Sequence, residues 1–279
     1  MEIKVRKIVA LILCICLCVT AISAEAKTKK TTGKDGKYIT WNYDKDTKTL
    51  TFSGKGPISD FEMDGHGSEP EWYVWNEQTE HIVVEEGIIS VGGWCFQDFW
   101  KVKSVSLPES LQEIGENAFY DNKELTICNL PSNLKNIRAY AFFCCENLEL
   151  SVLPSKLEKL GEYAFSYCPQ IKKIKLPKNV RTVTMSAFIG TSLKKIMLPS
   201  KVQVIKNGSH GNKGLGNGYE VKKLRIIEIH TKKLKKIEKN SFGGLSRKAV
   251  IKVPKTKKKQ YTKMLRKSGL SKKIKIKSL

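Results

Sequence analysis

Residues 105–119 read V-S-L-P-E-S-L-Q-E-I-G-E-N-A-F, and the phenylalanine that ends this stretch recurs every 23 residues along the chain. The members of the series are Phe96, Phe119, Phe142, Phe165 and Phe188. A fixed period of this length indicates a solenoid, in which each repeat buries its apolar edge against the next one. We therefore expect a fold that is built by stacking copies of one coil.

An apolar run that ends in Leu-Pro precedes the turn in each repeat, as in Ile196-Met197-Leu198-Pro199. Such a run is typical of a short strand, and the proline ends its hydrogen-bonding ladder. One strand per 23-residue coil predicts a parallel β-sheet. The expected solenoid is mainly strand and loop, with little helix.

The combined pattern, L-x-x-I-x-L-P followed by I-G-x-x-A-F-x-x-C, resembles the BspA-like class of leucine-rich repeats found in bacterial and protist surface proteins. The resemblance covers roughly residues 82–254. It implies a leucine-rich-repeat solenoid in a secreted or surface-displayed binding and adhesion protein without catalysis. It does not identify the ligand, because one scaffold can carry many binding sites.

The chain begins with a short basic segment and an apolar run, Ile8 to Ile22, followed by Ala24-Glu25-Ala26. This order predicts a signal peptide over residues 1–26. An uncleaved membrane anchor is the alternative, although the apolar run is shorter than the roughly 20 residues that span a bilayer. Export predicts a secreted or cell-surface protein, with no transmembrane segment after cleavage.

Residues 27–80 are predicted to form an N-terminal β-hairpin cap, because two alternating runs, 38–43 and 49–52, flank a polar turn. A cap is needed since the end of a solenoid exposes core and strand edges. Trp72 and Trp75 are expected to pack there, and an aromatic platform for carbohydrate is the alternative. Residues 81–254 then carry the repeats, with an inserted glycine-rich loop at 207–218.

Five cysteines follow the signal peptide, and most of them replace small apolar residues of the repeat. We interpret them as a buried ladder. A disulfide between Cys145 and Cys168, which lie one period apart, is the alternative in an exported protein. Their spacing does not match that of a zinc finger.

Charge is strongly segregated along the chain. Lys27 to Ser200 contains 22 basic and 22 acidic residues, whereas Lys201 to Leu279 contains 25 basic and 3 acidic ones. An anionic wall polymer, lipid head group or glycan is a candidate partner for the basic end. Specific nucleic-acid binding is not expected, because no recognition motif accompanies the charge. The lysines could also simply solvate a surface.

The basic C-terminal cap is predicted to span residues 255–279, with a short amphipathic helix. The residues expected to bind an anionic polymer are Lys255, Lys257, Lys258, Lys259, Lys263, Arg266 and Lys267.

The sheet is predicted to present a second site, because alternate strand residues point away from the core. The residues expected to bind a ligand there are Ile127, Asn129, Leu150, Val152, Lys173, Lys175, Lys195 and Met197. An apolar patch with a charged rim is typical of a protein-binding surface. A register slip that turns Leu150 inward, because Ser151 would otherwise face the core, is the alternative.

No catalytic, metal or cofactor site is predicted, because the four histidines are scattered and belong to no nucleophile or metal motif. The sequence therefore predicts a non-catalytic binding or adhesion protein with a protein partner on the host or bacterial surface. A structural cell-envelope protein, held on anionic wall polymer by its basic end, is the main alternative. A hydrolase site within the cap is a weaker one.

Overall fold

The computed structural model describes residues 29–62, 69–207 and 223–279. The predicted signal peptide lies outside these residues, as does nearly all of the predicted loop at 207–218. In chain order the strands are β1 Thr32–Asp35, β2 Ile39–Asp44, β3 Thr49–Gly54, β4 Gly56–Pro57, β5 His81–Val84, β6 Ile88–Val91, β7 Ser104–Ser106, β8 Glu113–Ile114, β9 Ile127–Cys128, β10 Asn136–Ile137, β11 Lys159–Leu160, β12 Thr182–Thr184, β13 Lys195–Leu198, β14 Val204–Lys206, β15 Ile226–Ile229, β16 Lys236–Ile237, β17 Val250–Val253 and β18 Lys275–Ser278. Within these described ranges one α-helix, α1, spans Lys258–Lys267, and 3₁₀ turns span Glu71–Trp75, Met185–Phe188 and Lys255–Lys257.

The strands form two rows, because each coil contributes one strand from its Leu-Pro segment and another from its Ile-Gly segment. The front row consists of β1-β2-β3-β5-β7-β9, a single bridge between Val152 and Lys175, and β13-β15-β17-β18. The rear row consists of β4-β6-β8-β10-β11 and β12-β14-β16. Pairing between coils is parallel, and Val105 lies opposite Cys128, one period away. The front row was predicted from the sequence, whereas the rear row was not.

The periodic phenylalanines form the spine of the core. The ring centroids of Phe96, Phe119, Phe142 and Phe165 are stacked 5.4, 5.2 and 5.4 Å apart, and the rings are fully buried. The amide of each of these residues donates to the carbonyl of the alanine in the next coil, as Phe119 does to Ala141 at 2.8 Å. We number the coils 1 to 5 by Phe96, Phe119, Phe142, Phe165 and Phe188.

The turn around each spine residue adopts left-handed backbone angles at two places. The residues two positions before the phenylalanine have φ of 63° at Trp94, 54° at Asn117, 56° at Tyr140 and 57° at Tyr163. The residues two positions after it have φ of 60° at Asp98, 59° at Asp121, 58° at Cys144 and 59° at Tyr167. Left-handed angles are unfavourable for residues with a Cβ and persist only where the surroundings impose them. The repeated hydrogen bonds between coils supply that constraint.

The glycine of the Ile-Gly segment allows neighbouring coils to approach closely. A Cβ on Gly161 would lie 2.3 Å from the carbonyl carbon of Arg138 and from the amide nitrogen of Ala139. A side chain at this position would therefore push the two coils apart.

The N-terminal hairpin covers the first coil. Strands β2 and β3 pair antiparallel, and β3 then pairs parallel with β5. Trp72 and Trp75 are buried at 1% and 6% exposure, and the indole of Trp72 donates to the carbonyl of Cys95 at 2.9 Å. The alternative of a carbohydrate platform on these two rings is therefore wrong, since a platform needs exposed ring faces.

The C-terminal segment closes the other end. Tyr261 and Leu265 of α1 are fully buried, and the Tyr261 hydroxyl accepts from the amide of Leu234 and donates to the carbonyl of Thr231. Strand β18 then extends the front row by pairing with β17. Lysines alternate along this last edge strand, which disfavours pairing with another chain.

The phenylalanine spine gives a stability prediction. Phe142→Ala should destabilise the protein by about 3 to 5 kcal/mol, because it removes a fully buried ring that two neighbouring rings hold in place. The change is measured by urea unfolding. Tyr38→Ala is the matched control, since Tyr38 is an aromatic side chain that is 65% exposed. Equal, small effects of both substitutions would contradict the buried spine.

Candidate binding site

The predicted ligand residues lie on the outer face of the front row, which we call the front face. Buried Cys128 and Ile196 alternate with exposed neighbours along their strands. Ile127 and Val152 are each 56% exposed, and Met197 is 49% exposed. These are unusually open positions for large apolar side chains, and they lie beside the exposed Asn129, Lys173, Lys175 and Lys195.

Leu150 departs from this pattern. Its side chain is half-buried and packs against the hydrophobic core, whereas Ser151 and Val152 are exposed. Coil 4 has no regular front strand here and keeps only the bridge from Val152 to Lys175. Burying the Ser151 hydroxyl in an apolar slot would cost free energy. The expectation of three adjacent exposed apolar residues is therefore wrong for Leu150, and the patch consists of Ile127, Val152 and Met197.

A carboxylate that the sequence analysis missed lies at the basic end of the front face. Glu228 is 7% exposed and accepts from Lys195 at 2.9 Å, His230 at 3.2 Å and Lys252 at 3.3 Å. Lys195 is thus engaged within the protein. The sequence signal was present, since Glu228 is one of only three acidic residues after Ser200.

Lys195, His230 and Lys252 also set the ionisation of Glu228. Burial alone would raise the pKa of this carboxyl, but hydrogen bonds from Lys195, His230 and Lys252 outweigh burial and lower its pKa to about 2. The carboxylate therefore stays charged at neutral pH and partly neutralises this end of the face. Lys173 and Lys175 of coil 5 are exposed, and within the described ranges neither forms an ion pair.

The basic cap is the second predicted site. Its lysines at positions 255, 258, 259, 263 and 267 are exposed, and Lys257 is half-buried. Arg266 has another role than the one expected from the sequence, because its guanidinium donates to the carbonyls of Leu270, Ser271 and Ile274. It fixes the loop after α1, and the lysines carry the exposed charge.

The repeat cysteines of the described residues are free thiols. The thiols of Cys145 and Cys168 donate instead to the carbonyls of Phe119 and Phe142, at 3.2 and 3.1 Å. The alternative of a bridge between them is therefore not found in the structure. Burial raises the pKa of the Cys128 thiol to about 12, as is typical of a packing residue.

Neither a metal cluster nor a membrane-spanning helix occurs in the parts of the chain that the structure describes. No group of three or more His, Cys, Asp or Glu side chains there is placed to hold a metal ion. No helix there has the length and apolar character that crossing a bilayer requires.

Comparison with known proteins agrees with this fold. Residues 89–215 match the family model for the BspA type leucine rich repeat region, in six copies. No curated protein matches the sequence significantly.

Solved structures provide a second comparison. A leucine-rich repeat protein from Eubacterium ventriosum is 17% identical, with a TM-score of 0.52, over 88% of this chain and 68% of its own. A leucine rich cell surface protein from Faecalibacterium prausnitzii is 19% identical, with a TM-score of 0.48, over 82% of this chain and 72% of its own. At 17% identity, the similarity to the Eubacterium ventriosum protein shows only that the two chains share a fold.

The Glu228 cluster gives a pH prediction. The folded pKa of about 2 lies below the ordinary value of 4.5, so the ionised carboxylate stabilises the folded state above about pH 4.5. This contribution should be lost as the pH falls from about 4.5 towards 2. Glu228→Gln should therefore be less stable than the parent protein at neutral pH, and the difference should shrink over that window.

Urea unfolding at several pH values measures this difference. Glu149→Gln is the control, because it removes an exposed carboxylate that forms no ion pair among the described residues. A constant difference between Glu228→Gln and the parent protein from pH 7 to pH 2 would contradict the cluster's role.

Proposed function

We propose, from the match of residues 89–215 to the BspA type leucine rich repeat region, that the protein is a non-catalytic binding or adhesion protein that acts at the cell surface. Its ligand is a protein with an acidic surface, and the front face is the binding surface. The observation that carries the proposal is the exposure of Ile127, Val152 and Met197 on the outer face of the front row.

The chemistry of the face supports a protein partner. Exposed apolar side chains with a charged rim favour protein association, because burying them releases water while the rim selects the partner. Lys173 and Lys175 lie between Val152 and Met197 along the row and are the cations open to an acidic residue. Lys195 contributes less than the sequence suggested, since Glu228 already neutralises it.

The front face is tested by the double variant Ile127→Asp/Val152→Asp. Both side chains are exposed, so the melting temperature should stay nearly unchanged while partner binding is abolished. Residues 27–279 are immobilised and exposed to solubilised cell-surface proteins. Any protein that is retained is then purified, and its affinity for each variant is measured directly.

Ile89→Asp is the matched control, because Ile89 is 42% exposed but belongs to the rear row. The control should bind like the parent protein. Equal affinity of all variants would contradict the proposed face, and a large loss of stability in the double variant would show that the two side chains belong to the core.

A second candidate function is structural, with the protein held on anionic wall polymer by its basic cap. The observation that favours it is the set of exposed lysines on and around α1. Removing the whole segment would not test this role, because α1 buries Tyr261 and Leu265 against the last coil. Substitution of exposed lysines leaves that packing intact.

The triple variant Lys258→Gln/Lys259→Gln/Lys263→Gln should bind purified, teichoic-acid-bearing cell walls about tenfold more weakly or worse, since each lysine near an anionic surface contributes about 1 kcal/mol. Co-sedimentation with the walls measures this. Moderate salt should release the parent protein, because exposed charges are screened over about 8 Å at physiological ionic strength. Lys172→Gln/Lys178→Gln/Lys194→Gln is the charge-matched control, and an equal loss in both triple variants would rule out a specific role for the cap.

A further inference from the structure

The rear row of strands is interrupted between coils 4 and 5, and we call this junction the seam. Within residues 69–207 no backbone hydrogen bond joins β11 to β12, although each pairs with its other neighbour. On the front row the same two coils are joined by the bridge from Val152 to Lys175, where the amide of Lys175 donates to the carbonyl of Ser151 at 2.9 Å. The turn ladder continues across the seam, since the amide of Phe165 donates to the carbonyl of Ala187 at 3.0 Å. The coils therefore stay attached at the turns and separate on the rear side.

The sequence of coil 5 explains the separation. Tyr140 and Tyr163 adopt left-handed angles at the start of their turns, whereas the equivalent Ser186 lies in the 3₁₀ turn Met185–Phe188. The spacing between successive Leu-Pro pairs also falls from 23 to 22 residues, at Leu176 and Leu198. A different turn on a shorter coil moves β12 out of register with β11.

The rear side of the seam forms a groove of about 1070 Å³, which we call the rear groove. Seven basic and four acidic side chains line it, which gives a net charge of +3. Several of the cations are already occupied: Arg138 pairs with Glu113, and Lys201 donates to Asn179.

Three cations of the rear groove remain without a partner among the described residues. They are Lys159, Arg181 and Lys206, and all three are exposed. They come from successive coils, because β11, β12 and β14 follow one another across the seam. Like charges that line one groove repel each other, and an anionic ligand that bridges them would relieve this repulsion.

The other groove side chains indicate which anion fits. Asn136, Glu158 and Thr182 offer hydrogen-bond acceptors and donors beside the cations. Among its apolar lining residues, Ile137 and Leu160 are buried, so these two side chains offer a peptide little contact surface. An acidic peptide would also be repelled by the carboxylate of Glu158, whereas a sugar hydroxyl can donate to it.

We propose that the rear groove binds an anionic glycan, with Lys159, Arg181 and Lys206 contacting its acidic groups and Glu158 accepting from a hydroxyl. The site lies on the opposite row from the front face and does not depend on the proposed protein partner. Sulfated and carboxylated sugar chains share the required chemistry.

The experiment compares two triple variants that remove the same charge from different places. The groove variant is Lys159→Gln/Arg181→Gln/Lys206→Gln, and the control is Lys172→Gln/Lys178→Gln/Lys194→Gln, which removes three exposed lysines that do not line the groove. Affinity of residues 27–279 is measured at fixed salt for a heparin hexasaccharide, an oligogalacturonate, neutral dextran and poly-glutamate. The melting temperature of each variant is recorded, and the three single groove variants replace the triple variant if it does not fold.

The groove variant should lose about tenfold or more in affinity for at least one of the two anionic sugars, because charge-assisted hydrogen bonds are strong, and the control should change little. Heparin and oligogalacturonate distinguish sulfate from carboxylate as the recognised group. Equal losses in both triple variants would overturn the proposal in favour of a net-charge effect. Groove-dependent binding of poly-glutamate as tight as that of the sugars would assign the groove to acidic peptides, and absence of binding to either sugar would also overturn the proposal.

Discussion

The hydrogen bond from the amide of each spine phenylalanine to the alanine carbonyl of the next coil is the constraint on which the other features depend. It recurs from Phe96 to Phe165 at 2.8 to 3.0 Å and continues across the seam. Because it fixes the distance between turns, it stacks the rings and imposes left-handed backbone angles on residues as large as Tyr140 and Tyr163. It also brings the coils so close that Gly161 has no room for a side chain.

The two candidate surfaces follow from places where the strands deviate while this ladder continues. On the front row, Ser151 leaves its inward slot and Leu150 turns towards the core, so coil 4 has no regular strand and Val152 is its exposed apolar side chain on this face. On the rear row, the 3₁₀ turn of coil 5 displaces β12 and opens the rear groove. A perfectly regular solenoid would present the same surface at each coil. In this solenoid, local irregularities make the surface differ from coil to coil and so create distinct sites.

The sequence predicted those features that repeat or alternate. The 23-residue period located the buried spine, and alternation located the hairpin strands β2 and β3 and the exposed side chains of Ile127 and Val152. It did not predict the rear row, whose strands are mostly two or three residues long and carry too little alternation to be recognised. The sequence also did not predict the Glu228 cluster, because its lysines lie 24 and 33 residues away from Glu228 along the chain. The hydrogen bonds from Arg266 to backbone carbonyls were not predicted either, because they depend on the conformation of the loop after α1. The rear groove arises because β11 and β12 do not pair, and no residue pattern in the sequence predicts this.

The distribution of ion pairs explains why the excess charge stays available at one end. In the first half of the chain, Glu80 lies between Lys48 of the hairpin and Lys103 of the repeats, at 2.5 and 2.6 Å. Hydrogen bonds from these two lysines lower the pKa of Glu80 to about 2. After Ser200 the three acidic residues cannot neutralise 25 basic ones, and Glu228 alone is shared by two lysines and a histidine. Stacking places side chains one strand spacing apart, so a coil rich in lysine repels its lysine-rich neighbours. Anions from outside the chain reduce this repulsion, and the basic half of the solenoid is therefore expected to be more stable when an anionic surface or glycan is bound.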